Sequence, residues 1–214
     1  MHFTVITSNP AAIAVATEEQ LREEVRILYE YFVTASREKI VGFVFKSATF
    51  YDEIDELGCD LVAMSNDSSE HTSDEWEDAV NACTRDEVVD PRAINFFVYD
   101  SCAAGSYADV TSRGRLNSYH PYVLIDWERL NHTTQSPEEH EMGHAFGLGH
   151  VCDPTATATS STNIMATGND YVNAAGALVD CPGSGGLRDR GFNEEQETTI
   201  LTNAALIKAA LGAT

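Results

Sequence analysis

The sequence predicts an α/β fold, α+β in arrangement, and three observations carry that prediction. β-prone runs alternate with helical periods through the first 130 residues, a stretch from 152 to 192 lacks strong periodicity, and one well-signalled helix closes the chain. A length of 214 residues suits a single domain with one or two lobes.

The elements follow in order. "FTVITS" (3–8) is rich in β-formers and reads as the first strand. In "TEEQLREEVRILYEYFVTA", Thr17 and Gln20 have capping-box spacing, which starts a helix of about 18 to 36. Its Leu21, Val25, Leu28 and Phe32 recur at i, i+4, i+7 and i+11, one face for packing on a sheet. "IVGFVFKSATF" (40–50) and "CDLVAMSN" (59–66) read as strands, and "SDEWEDAVNAC" (73–83) as a short helix that turns Trp76, Val80 and Cys83 inward. "AINFFVYDS" (93–101) and "YVLIDWERL" (122–130) are further strands, separated by a polar, Gly-containing segment. Residues 152 to 192, rich in Thr, Ser, Gly, Asn and Ala, read as irregular structure. Asn193, with Gln196 three positions on, caps a last helix of about 194 to 211 whose apolar positions are Ile200, Ala204, Ile207 and Leu211.

Thirteen basic against 34 acidic side chains give a formal charge of −21, which repels phosphate backbones and anionic lipid surfaces. Nucleic acid and membrane are therefore not expected as partners. The acidity reads as a solvated surface, or as attraction of basic substrates or calcium ions (Ca2+); composition does not choose between them. No apolar run approaches the roughly 18 residues that span a bilayer, and "MHFTVITSNP" lacks the pattern of a signal peptide. Five cysteines without C-x-x-C spacing suggest oxidised structural bonds, with at least one left unpaired within the chain. A secreted protein whose leader has been removed fits both points.

The chemistry concentrates in "SPEEHEMGHAFGLGHVC" (136–152). Ser136, Pro137 and Glu139 write a helix start as an N-cap hydroxyl, a first-turn proline and a capping-box glutamate. His140 and His144 then lie one turn apart on one face, so both imidazoles reach a single ion at about 2.0 to 2.1 Å. Glu141 turns its carboxylate beside that ion, where it can take the proton of a water the ion activates. Gly147 and Gly149 end the helix and turn the chain, returning His150 as a third ligand. Three imidazoles leave a tetrahedral zinc one open position, the arrangement of a catalytic site. A histidine pair alone would read as a polar helix face, and Met165 alone as a core filler. His2, His71, His120 and His132 have no such spacing and read as surface or locally bonded residues.

"HEMGHAFGLGH" (140–150) fits H-E-x-x-H-x-x-G-x-x-H at every specified position, and "TNIMATG" supplies Met165 fifteen residues after His150. In both respects the chain resembles the metzincin metalloproteases. That resemblance implies a twisted, mostly parallel five-stranded sheet with two long helices above the cleft, and an irregular lower subdomain ending in a C-terminal helix. It implies one catalytic domain, with residues 1–150 as the upper subdomain bearing the active-site helix and 151–214 as the lower one bearing the Met-turn. It also implies one catalytic Zn2+ held by His140, His144 and His150, Glu141 as general base, and a zinc endopeptidase acting on protein or peptide substrates as a monomer.

By the same resemblance, an extended substrate pairs with an edge strand within "GSYADVTSRGRLNS" (105–118). "ATGNDYV" (166–172) lines the specificity pocket, with Asp170 and Tyr171 as candidate substrate contacts. Val151 after the third histidine, and Thr167 where some subfamilies carry tyrosine, depart from several groups; the spacing of "INFFVYD", "YVLIDWER" and "GFNEEQ" looks more like the pappalysins. Cys152 and Cys181 flank the Met-turn and are the expected disulfide, a clamp on the loop-rich lobe. Cys59, Cys83 and Cys102 leave three pairings open. Two rival functions stand beside the endopeptidase: an aminopeptidase with the same site, and a zinc-binding protein without activity, against which Glu141 argues.

Overall fold

A computed structural model describes residues 1–61, 73–100, 112–131, 137–152, 157, 159–166, 171–172, 178–179 and 188–212. Five strands form one sheet: β1 (His2–Ile6), β2 (Ser47–Tyr51), β3 (Asn95–Tyr99), β4 (Arg113–Arg115) and β5 (Tyr122–Asp126). Their order is β2-β1-β3-β5-β4, parallel throughout except for β4, which runs antiparallel to β5. The fold is thus mixed α/β with a mostly parallel sheet and a C-terminal helix, as the sequence predicts.

Both faces of the sheet are covered, which explains why its central strands read as unbroken apolar runs. Along β3, Phe96 and Val98 enter the larger core with Phe3, Val5, Val123 and Ile125. Phe97 and Tyr99 point the other way, toward Trp76, Val80, Leu57 and Val88. The larger core receives α2 (Glu18–Tyr31), α4 (Pro137–Ala145) and α5 (Glu194–Ala210); the smaller one receives α3 (Ser73–Ala82). The stripe of Leu21, Val25, Leu28 and Phe32 is buried as predicted, and so are Ile200, Ile207 and Leu211. Asn193 and Gln196 form the predicted capping box. Cys83 turns toward the smaller core and is bonded to Cys59, which resolves the three open pairings. Cys152 is also disulfide-bonded, whereas Cys102 and Cys181, and with the latter the expected pairing, lie outside the described residues.

Several boundaries differ from expectation for identifiable reasons. Helix α2 stops at Tyr31 rather than near 36 because residues 33 to 35 bond elsewhere: Val33 O accepts from Phe192 N at 2.9 Å and Phe192 O accepts from Ala35 N at 2.9 Å. Phe32 leaves the helix to pack among Phe43, Phe146 and Phe192. The strand expected over 40–50 is paired only from Ser47, since β1 begins at His2 opposite Ser47 and offers no partner before it. Lys46 N–H bonds Met1 O instead, at 2.8 Å. A short helix, α1 (Pro10–Val15), follows β1, capped by the Asn9 side chain. The strand "YVLIDWERL" ends at Asp126 and continues as a 3-10 turn, Trp127–Asn131. Most of the strand expected over 59–66 lies outside the described residues. Residues 152–192 are largely without regular structure where described, apart from the two-residue strands β6 (Tyr171–Val172) and β7 (Leu178–Val179), which pair antiparallel.

Among the described residues, single backbone bridges run within this irregular region and from it to its neighbours. Val151 pairs with Ala166, Asn163 with Arg190, and Thr34 with Phe192, each parallel.

Candidate metal centre

Helix α4 begins at Pro137; the predicted cap, Ser136, lies outside the described residues. The helix ends as its sequence dictates. Gly147 adopts a φ of +85°, its N–H donates to His144 O at 2.8 Å, and Leu148 N–H donates to Gly143 O at 3.0 Å. These two bonds are a Schellman motif, which needs the left-handed residue that glycine supplies. Asn203 of α5 completes the end by donating to Phe146 O at 2.7 Å.

The turn brings His150 back to His140 and His144. Their three Nε2 atoms stand 3.1 Å (140 to 150), 3.2 Å (140 to 144) and 3.0 Å (144 to 150) apart. The protonation of two of the rings follows from their other nitrogens. His140 Nδ1–H donates to Ile164 O at 2.8 Å and His144 Nδ1–H donates to Leu148 O at 2.7 Å, so both Nε2 atoms present lone pairs inward. Lone pairs converging at this distance repel unless a cation lies among them. Tetrahedral ligands at about 2.0 to 2.1 Å from a zinc stand about 3.3 Å from one another, close to the observed triangle. Burial pushes the imidazoles down, His140 to about 3 and His150 to about 4, with His144 lowered as well, which keeps them neutral and ready to ligate. Among the described residues these three histidines are the group that can hold a metal ion.

Glu141 is buried on the same helix turn. Burial raises its carboxyl to about 7; the Ser112 hydroxyl, the charges of Arg188 and Arg129, and the Gly114 N–H, which donate to or attract the ionised form, pull the other way. Its position depends on a close approach between α4 and the edge strand. A Cβ on Gly114 would lie 1.7 Å from Glu141 O and 3.0 Å from Ala145 N, so glycine alone lets β4 run against the helix backbone.

Met165 lies fully buried beneath the helix, and the space a Gly143 side chain would need is taken by its sulfur, 2.3 Å from an ideal Cβ. The turn that holds it is built on Asn163. Asn163 Oδ1 accepts from Met165 N at 2.8 Å, and its amide exchanges bonds with Gln196 at 2.8 and 3.1 Å, fastening the turn to the cap of α5. His140, His144 and His150 are thus brought together, with Glu141 on the same helix and Met165 packed against Gly143. Asp170 lies outside the described residues, and Tyr171 starts β6. The expected edge strand is described only as Arg113–Arg115. His2, expected to be surface or locally bonded, is instead buried and bonded to residues distant in the chain, Ser47 Oγ at 2.9 Å and Glu87 O at 3.1 Å.

Sequence reasoning missed Ser112, Gly114, Asn163 and Arg188. Ser112, Gly114 and Arg188 matter through partners distant in the chain, and Asn163 joins a local bond to Met165 N with a distant one to Gln196. No family model matches the chain, and no curated protein matches it. The functional assignment therefore has to be carried by the site itself.

Proposed function

We propose that the protein is a zinc-dependent endopeptidase of the metzincin type, acting on peptide bonds of proteins or peptides. One observation carries the reading: three converging Nε2 atoms, with a buried carboxyl on the intervening helix turn. Zinc, when bound, polarises the carbonyl and lowers the pKa of a water toward about 7. Glu141 would take a proton from the attacking water as the water oxygen bonds to the carbonyl carbon and the carbonyl electron pair moves onto the carbonyl oxygen. It then returns the proton to the amide nitrogen as the C–N bond breaks. A carboxyl near neutrality is suited to both transfers. His140, His144 and His150 hold the ion, and Ile164 O and Leu148 O fix the rings of the first two.

Secretion belongs to the same reading. The Cys59–Cys83 disulfide supports it, and among the described residues no helix is long and apolar enough to cross a membrane. The charge of −21 favours protein over nucleic acid as substrate. Metal analysis combined with cleavage of an unstructured protein by wild type and Glu141→Ala tests the proposal. Zinc retained with cleavage lost in the variant supports it. Full activity in the variant refutes the role of Glu141, end-trimming without internal cuts makes the enzyme an aminopeptidase, and zinc bound without any cleavage makes it a binding protein.

A further inference from the structure

We infer that Arg113 and Arg115 of the edge strand β4 select an extended peptide that carries Asp or Glu at two positions separated by a single residue. The inference rests on the peptidase reading above and names its substrate class.

The register of β4 fixes the side on which the two arginines stand. Arg113 is opposite Leu124 and Arg115 opposite Tyr122, and both of these partners belong to the smaller core; Gly114 is opposite Val123, which belongs to the larger one. Residues directly across an antiparallel pair share a face, so both arginines lie on the smaller-core side and Gly114 on the side of α4. Two contacts agree. The Arg113 guanidinium carbon lies 5.0 Å from the centroid of the Trp76 ring in the smaller core, and a Cβ on Gly114 would meet Glu141 O of α4. Both arginines are part-buried, and a guanidinium lying over an indole keeps its in-plane N–H fork for a carboxylate.

Among the described residues β4 is also the last strand of the sheet, and the helix it runs against carries His140, Glu141 and His144. An extended chain that pairs with its outer edge therefore lies beside the metal centre, and its side chains alternate as those of β4 do. The residue opposite Gly114 turns toward α4, and its two neighbours turn to the other face, beside Arg113 and Arg115. Opposite charges on directly facing residues attract, so the strand favours carboxylates at both of those neighbours. A second copy of this chain is a poor occupant, because pairing β4 with itself about Gly114 sets arginine against arginine. The rest of the surface sharpens the contrast. In a chain with 34 acidic and 13 basic side chains, two of the basic ones stand within the three residues of β4. An acidic peptide is repelled by most of this surface and admitted where the arginines stand, which sets its register along the edge.

Fluorescence anisotropy of labelled heptapeptides tests the inference, with the full zinc-loaded chain carrying Glu141→Ala so that the peptides stay intact. One peptide has Asp-Val-Asp at its centre, a second Asn-Val-Asn and a third Asp-Asp-Val, within the same flanking residues. Asp-Val-Asp is expected to bind about tenfold more tightly than Asn-Val-Asn, as two part-exposed ion pairs allow. It is also expected to bind more tightly than Asp-Asp-Val, whose carboxylates fall on opposite faces. Adding Arg113→Gln and Arg115→Gln together brings the ratio of Asp-Val-Asp to Asn-Val-Asn affinity close to one, and Arg115→Gln alone lowers it to about threefold. Binding by none of the peptides, Asp-Asp-Val bound as tightly as Asp-Val-Asp, or a ratio that survives both substitutions overturns the inference. Should the double variant fail to fold once Trp76 loses its cover, Arg115→Gln decides by the same ratio. Absence of internal cleavage by zinc-loaded wild type refutes the peptidase reading, while the peptide affinities still decide what β4 selects.

Discussion

Replacing Gly114 by alanine is the sharpest test of how the site is held. An alanine Cβ there falls 1.7 Å from Glu141 O, where ordinary contact begins near 3.4 Å, so strand and helix must separate by about 1.7 Å. Both clashing partners belong to the backbone, and no flexible side chain can move aside. The penalty belongs at the upper end of overpacking, about 3 kcal/mol. For a chain of this size that lowers the melting temperature by about 6 to 12 °C. The displaced helix carries His140, His144 and Glu141, whereas His150 lies beyond the turn, so zinc affinity falls at least about tenfold as the triangle opens. Thermal unfolding of the metal-free protein and competition with a chromophoric chelator measure the two effects separately. A variant that melts within about 2 °C of wild type and keeps zinc affinity within about threefold would show that β4 does not bear on the helix.

Three further outcomes are expected. With free zinc at about a thousand times its Kd, binding adds about 4 kcal/mol, so chelation lowers the melting temperature of wild type and leaves His144→Ala unmoved; equal responses refute the ligand assignment. Burial raises the Glu24 carboxyl from 4.5 to about 8. Its folded value is the higher one, so the stability of the neutral form is fully present below about pH 4.5 and is lost as pH rises through about 8. Glu24→Gln therefore gains on wild type in urea midpoint between pH 5 and pH 8, and a constant difference contradicts the burial argument. Removing the Cys59–Cys83 bond, which closes a separation of 24 residues, costs about 3.4 kcal/mol by loop entropy, measured as a drop in urea midpoint in Cys83→Ala.

The three-histidine cluster was legible because its logic is local. Spacing of four on a helix and a glycine turn fix where His140, His144 and His150 meet, and periodicity fixes the buried faces of α2 and α5. What was hidden depends on long-range partners. Helix α2 ends early because Phe192, far along the chain, claims the backbone of Val33 and Ala35. The requirement for glycine at 114 emerges only where β4 meets α4, and Asn163 reaches beyond its own turn only through Gln196. Helix α1 is a different case. Asn9 followed by Pro10 is a plain cap and first-turn signal, but six residues gave too short a period to register.

The parallel bridges outside the sheet have a consequence for how the molecule opens. Amides of Val151, Ile164, Arg190 and Phe192 are each held by a carbonyl of the next segment, in a chain of contacts running from the last ligand to the end of α2. No rung has a strand on both sides to stabilise it alone, so the rungs should exchange with deuterium as one cooperative unit. One end of that unit adjoins His150 and its middle carries the carbonyl that orients His140. Bound metal would thus slow exchange at amides as far away as Phe192. The ion's affinity would be stored as the rigidity of a region that has almost no secondary structure to supply it.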